Sequence, residues 1–118
     1  MVVEHVPRST IPNDRAAIER DGFTVAVSRF DPPAGAGGWH HHADHHVVAY
    51  VLAGTVQVES GAEGRDITRA AAGDLVYVEP RTVHRETYGE EEFAGVGFYF
   101  GSGPGRVDVD GPGGTEAD

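Results

Sequence analysis

Cysteine is absent from this 118-residue sequence, and so is lysine. Without cysteine there is no disulfide framework and no thiolate to act as nucleophile or ligand. Any metal must therefore be held by nitrogen and oxygen. Ser9, Ser28, Ser60 and Ser102 have no activating context, so nucleophilic catalysis has little support. Without lysine, every one of the nine basic residues is arginine, set against 19 acidic ones, and the formal net charge is −10. A domain this acidic is a poor partner for nucleic acid or an anionic membrane surface. Its charge says little about the substrate, because a bound cation reverses the field locally. No apolar run approaches the roughly 20 residues of a membrane span. The start, Met1-Val2-Val3-Glu4-His5, lacks a basic region followed by an apolar one, so a cytoplasmic location is expected.

What is present is glycine, 17 residues of it, with seven prolines. Frequent turns imply short strands rather than long helices. The alternation of Val2, Val3 and Val6 before Pro7 reads as an edge strand, and residues 11–20 as a connecting turn with Asn13 or Asp14 as its cap. Residues 23–30 have strand composition, with Phe23, Val25 and Val27 on one face. A Gly/Pro loop over 31–38 follows. It is not a phosphate cradle, since no helix follows it and no lysine exists. Further strands read over 47–53, 56–59, 65–69, 75–78, 83–88 and 93–100, with a solvated acidic loop at 90–92. Val107-Asp108-Val109 has the composition of an edge strand donated to a neighbouring subunit, and the last residues read as disordered. The division expected is an N-terminal strand and turn (1–20), a β-barrel (21–101) and a Gly/Pro-rich tail (102–118). Short strands with turns every eight to twelve residues indicate an all-β sandwich or closed barrel.

Five of the seven histidines fall within seven consecutive positions, in Trp39-His40-His41-His42-Ala43-Asp44-His45-His46. Imidazole is a poor core filler but the commonest protein ligand for mid-to-late first-row divalent ions. On a strand His40 and His42 project together and His41 projects away. A third ligand must follow a short turn, and a fourth must come from a distant strand. His84 is the only histidine well beyond the cluster, early in a strand that a barrel brings opposite the pair. His5 has no partner in sequence.

At this point the chain resembles the cupin superfamily. The first motif of that family has two histidines one apart, a glutamate a few residues on, and a glycine closing the next strand. The matching run here is Trp39 to His46, leading through Val47-Val48-Ala49-Tyr50-Val51-Leu52-Ala53 to Gly54. The second motif runs from Gly-Asp through a strand and a proline turn to a histidine, here Gly73-Asp74 through Pro80-Arg81-Thr82-Val83 to His84. Its proline is displaced by one, and Arg81 stands where glycine is usual. The resemblance implies a double-stranded β-helix, or jelly-roll barrel, and a homodimer paired through edge strands. The glutamate ligand is missing: three spacer residues after His42 fall on His46 and four on Val47. Valine cannot bind metal, so the expected ligands are His40, His42, His46 and His84, with His41 and His45 exposed or behind the ligands. All-nitrogen ligation suits Fe2+ or Zn2+, with Ni2+, Cu2+ or Mn2+ as further candidates, and disfavours Mg2+ and Ca2+.

Glu86 shares the face of His84 and is a candidate base, or a group that holds a ligating imidazole in its tautomer. Tyr50 is a candidate proton relay. Tyr77, Tyr88 and Tyr99 are further aromatic candidates, and Trp39 and Phe98 are candidate pocket linings. The expected function is a metal-dependent enzyme for a small, apolar or aromatic carbonyl, enol or phenol. Within it, a non-haem dioxygenase is preferred over a Lewis-acid cyclase or isomerase of the polyketide cyclase type. The competing class is a non-catalytic metal or small-ligand binding protein.

Overall fold

The computed structural model describes residues 1–32 and 35–113. After a 3-10 turn at Arg8–Thr10, the strands in chain order are β1 (Arg15–Arg20), β2 (Phe23–Phe30), β3 (His40–His41), β4 (His46–Ala53) and β5 (Thr55–Ser60). Then come β6 (Asp66–Ala71), β7 (Leu75–Val78), β8 (His84–Tyr88), β9 (Phe93–Phe100) and β10 (Val107–Asp108). They form two five-stranded sheets, ordered β1-β2-β9-β4-β7 and β10-β3-β8-β5-β6, and all named pairings are antiparallel. This is the all-β double-stranded β-helix expected. No helix among the described residues is long and apolar enough to cross a membrane.

The period-two alternation of each strand decides which residues face in. Val47, Ala49 and Val51 of β4, Val56 and Val58 of β5, Val76 and Val78 of β7, and Phe93 of β9 point between the sheets. Val51, Val56, Val58, Ala70, Val76 and Phe93 form the buried cluster. Phe30, Tyr88 and Phe93 close around it as an aromatic group, with ring centroids 4.9, 4.7 and 6.2 Å apart. Phe23, Val25 and Val27 do share a face, but it is the outer one: Ser28 and Phe30 line the interior.

Three local expectations need correction. Residues 1–7 form no strand. No neighbouring strand offers them a ladder, and their alternation alone cannot hold one. Residues 15–20 are strand β1, not a connecting turn, and it pairs with β2 around a bulge between Ala16 and Ile18. Asn13 caps nothing. Its side-chain amide donates to the Arg29 carbonyl at 2.9 Å and accepts from the Arg29 N–H at 2.7 Å, continuing the ladder with a side chain. Pairing with β2 thus overrides the weak local helix signal. Val107–Asp108 pairs with β3 of its own chain, against His41 and His40. The expected disorder at the C-terminus falls largely on residues outside those described.

Candidate metal centre

Strand β3 is only two residues long, and it is held on both sides. β10 pairs along one edge, and His84 of β8 lies opposite His40 on the other. The ring nitrogens of His40, His42 and His84 and a carboxylate oxygen of Glu86 all lie within 4.8 Å of one another. Two ligands on opposite sides of one ion are about 4.2 Å apart at bond lengths near 2.1 Å. The group is therefore close to the size of a coordination shell. His40 and His84 are 2% and 1% exposed, and Glu86 is 28% exposed at its side chain.

The orientation of each imidazole is fixed from behind. Nδ1–H of His40 donates to the Gly38 carbonyl at 2.8 Å, that of His42 to Gly105 at 2.7 Å, and that of His84 to Thr82 at 2.8 Å. A carbonyl only accepts, so Nδ1 carries the proton and Nε2 turns its lone pair into the site. His84 Nε2 is buried without a hydrogen-bond partner among the described residues. Glu86 Oε1 lies 3.3 Å from it, within ion-pair range but poorly aligned as an acceptor, and Oε2 lies 3.7 Å from His40 Nε2. Three tautomer-locked imidazoles with one orphaned buried lone pair, and a carboxylate beside them, fit a divalent transition metal.

Burial pushes the His42 pKa down to about 4 and lowers that of His40, so both are neutral at neutral pH. At His84 burial acts in the same direction, but the Glu86 carboxylate outweighs it and the pKa is raised. Burial would raise Glu86, yet the histidines around it outweigh that and lower it. The sign for stability follows. The unfolded chain protonates His42 near 6.5 and the fold resists it down to about 4. Metal-free stability should therefore fall between those values, by on the order of 3 kcal/mol from this group. His84 acts oppositely, giving stability below about 6.5 that is lost as pH rises through its raised folded pKa. Urea unfolding of metal-stripped protein at pH 7 and pH 4.5 is expected to show a smaller stability loss in His42→Gln than in the wild type. Equal losses would contradict this assignment.

His46 is not brought to the cluster. Strand β4 turns Val47 inward, where it lines the cavity, and places His46 on the exposed outer face. There its Nδ1 lies 2.6 Å from the Tyr77 hydroxyl and its ring stacks on that of Tyr77, with centroids 5.9 Å apart. A carboxylate reaches the cluster from β8, whose alternation sends His84, Glu86 and Tyr88 inward together. His46→Ala is accordingly expected to leave metal stoichiometry unchanged, as elemental analysis of the purified variant would show. A loss of metal would restore His46 to the ligand set.

The other candidates divide by the same alternation. Tyr50 is 39% exposed, alternates along β4 with His46 and Leu52, and borders the cavity without joining the cluster. Phe98 faces outward. Tyr99 faces inward, its ring 5.3 Å from that of His42, and Tyr88 lines the same cavity. Burial raises the pKa of both phenols, so they are neutral donors at physiological pH. His41 and His45 are buried rather than exposed, and they brace the turn between the ligands. His41 Nδ1 accepts from the Ala43 N–H at 2.9 Å, and His45 Nδ1–H donates to the His42 carbonyl at 2.7 Å. Ala43 itself sits at φ 50, and Arg81, at φ 59, takes the left-handed conformation for which glycine is usual. The Arg81 N–H donates to the Ala43 carbonyl at 2.9 Å, tying the two motif turns together.

Outside the barrel, Glu59 Oε2 accepts from Arg85 Nε at 2.7 Å and Oε1 from the Thr87 hydroxyl at 3.0 Å. The Arg85 guanidinium beside it holds the Glu59 carboxyl below the usual range. That guanidinium lies 4.7 Å from the centre of the Trp39 ring. Trp39 is not among the residues lining the cavity at the cluster; its ring packs against Arg85 just before the strand that begins at His40. The hairpin tip must be glycine there, since a Cβ at Gly64 would sit 2.7 Å from the indole.

The cluster forms one wall of a cavity of about 330 Å³. Much of the remaining lining is apolar, including Phe30, Val47, Ala49, Val51 and Val96. Asp14, Ser28 and Arg106 add polar groups that no sequence motif flagged. Asp14 arrives there because β1 is a strand, with its carboxylate accepting from the Ser28 hydroxyl at 2.8 Å.

Solved structures share this architecture. A protein with a double-stranded β-helix domain from Klebsiella pneumoniae superposes with a TM-score of 0.70 at 23% identity, covering 88% of this chain and 89% of that one. KdgF from a Halomonas species gives 0.63 at 20% identity, covering 75% and 79%. Oxalate decarboxylase from Bacillus subtilis gives 0.62 at 22% identity, covering 75% of this chain and 24% of that one. At these identities the likeness concerns the fold. No curated protein matches by sequence. A family model described as "Cupin domain" matches residues 26–94, more than half of the sequence. The chain belongs to the cupin family.

Proposed function

We propose that this cupin is a metal-dependent enzyme for a small, largely apolar carbonyl, enol or phenol substrate, and that it runs dioxygenation. The observation that carries the reading is the convergence of His40, His42, His84 and Glu86 on the wall of an otherwise apolar cavity. Three imidazoles and one carboxylate suit ferrous iron among the first-row ions. When bound, such an ion supplies a Lewis-acidic centre and a site for oxygen. The chain's own groups do the rest. The three backbone carbonyls hold the imidazoles in register, the valine-rich walls exclude water, and Tyr99 offers a neutral O–H beside His42.

A second reading, cyclisation or isomerisation by Lewis-acid chemistry, draws on Glu86. Its carboxylate is partly exposed to the cavity and lies 3.3 Å from a histidine, as a base held beside a cation would. The two readings separate in an oxygen electrode. Iron-loaded protein given diketone and catechol substrates is expected to consume oxygen as substrate disappears, and zinc-loaded protein to be inactive. Anaerobic turnover by the zinc form would favour the second reading. Metal binding without turnover would leave a binding protein.

The outer face of the β1-β2-β9-β4-β7 sheet exposes Phe23, Tyr50, Leu52, Leu75, Tyr77 and Phe100. An apolar face of this extent supports a homodimer with this sheet at its interface. Light scattering is expected to return twice the chain mass.

A further inference from the structure

We propose that Arg106 is the anchor for a carboxylate, or an equivalent oxyanion, on the substrate, which narrows the substrate class to a small acid with an apolar body. The inference rests on the cavity being the active site. Among the described residues, the charged side chains lining that cavity are Asp14, Glu86 and Arg106, so Arg106 is its one fixed cation. It belongs to the tail, not to either histidine motif.

The tail holds this arginine in place from both sides. The preceding residue, Gly105, gives its carbonyl to the His42 imidazole at 2.7 Å. The following residues, Val107 and Asp108, pair with His41 and His40. The Val109 N–H then donates to the Trp39 carbonyl at 3.0 Å. Arg106 is therefore pinned beside β3, the strand that carries His40 of the cluster, and its charge is felt at His40, His84, Tyr88 and Tyr99.

The bland alternative is a surface arginine satisfied by its neighbour. Nε does donate to Asp108 Oδ1, at 2.8 Å. No hydrogen-bond acceptor among the described residues meets the two terminal nitrogens, and Nη2 passes within 3.7 Å of where a Gly38 Cβ would stand. The Arg106 side chain is 51% exposed, so a solute can reach it. A planar fork with both terminal nitrogens open is the geometry that takes a carboxylate by two parallel hydrogen bonds. The valine and phenylalanine walls then accommodate the apolar remainder of the acid, while the histidine cluster sits within reach of its reacting end.

The test uses phenylacetate and its uncharged isostere phenylacetamide as probes, titrated by calorimetry into zinc-loaded and metal-stripped protein. Wild type is expected to bind phenylacetate at least about tenfold more tightly than the amide in both forms, the size of one charge-assisted hydrogen bond. Arg106→Gln is expected to lose that preference with its zinc content unchanged, and Arg106→Lys to recover part of it. If Arg106→Gln keeps the preference, or wild type shows none, the proposal is overturned. Protein that takes up no zinc would instead sink the metal-enzyme reading, while the metal-free titration still decides the role of Arg106.

Discussion

Replacing His84 with alanine is expected to strip the protein of tightly bound transition metal and of any activity that depends on it. His84 is the one member of the cluster whose Nε2 is buried without a hydrogen-bond partner, which leaves its lone pair available to a metal. It also links the other members, since Glu86 lies 3.3 Å from it and the His40 ring lies 4.4 Å from its own. Removing a group behind a metal ligand costs roughly 10–100-fold in affinity. Removing the ligand itself should exceed about 100-fold. Elemental analysis after dialysis reads this directly, and His84→Asn, which keeps most of the volume, controls for packing. Full metal content in both variants would show that the cluster is not the metal centre.

Chelation is expected to lower the melting temperature of the wild type by about 10 °C. An ion at 100 times its dissociation constant stabilises the folded state by roughly 2.7 kcal/mol. In a domain of this size each kcal/mol moves the midpoint by roughly 4 °C. The physical source is local. Metal-free, three buried imidazoles face one another and a single carboxylate, and burial resists protonation of His40 and His42. A metal gives all four donors a common partner. His46→Ala should show the same shift and His84→Ala almost none. A wild-type midpoint indifferent to chelator would mean that the donors are not coupled to the fold as described.

The strands that carry chemistry were legible in the sequence because period-two alternation is short-range and strong. His40 and His42 on one face, and His84 with Glu86 on another, follow from it, and the barrel supplies the encounter. His46 failed for the same reason read too narrowly. Motif spacing allowed either position 46 or 47 for the missing carboxylate, and β4 turns Val47 inward. The slot is apolar, and the carboxylate that lies with the three histidines is Glu86, two residues beyond His84. β1 was hidden because its sequence, Arg15-Ala-Ala-Ile-Glu-Arg20, reads as a polar turn until β2 is alongside. Arg106 carried no signal at all, and Asp14 signalled only a turn cap. Each reaches the cavity through a pairing across long sequence separation, with β3 and β2 respectively, and no local pattern records such a pairing.

The most direct test is the anomalous difference map of a crystal loaded with one equivalent of iron or zinc, measured at that metal's absorption edge. A single peak per chain is expected, bounded by His40 Nε2, His42 Nε2, His84 Nε2 and a Glu86 oxygen at bond lengths of roughly 2.0–2.2 Å. A peak beside His46 and Tyr77, or none at all in loaded protein, would contradict the account.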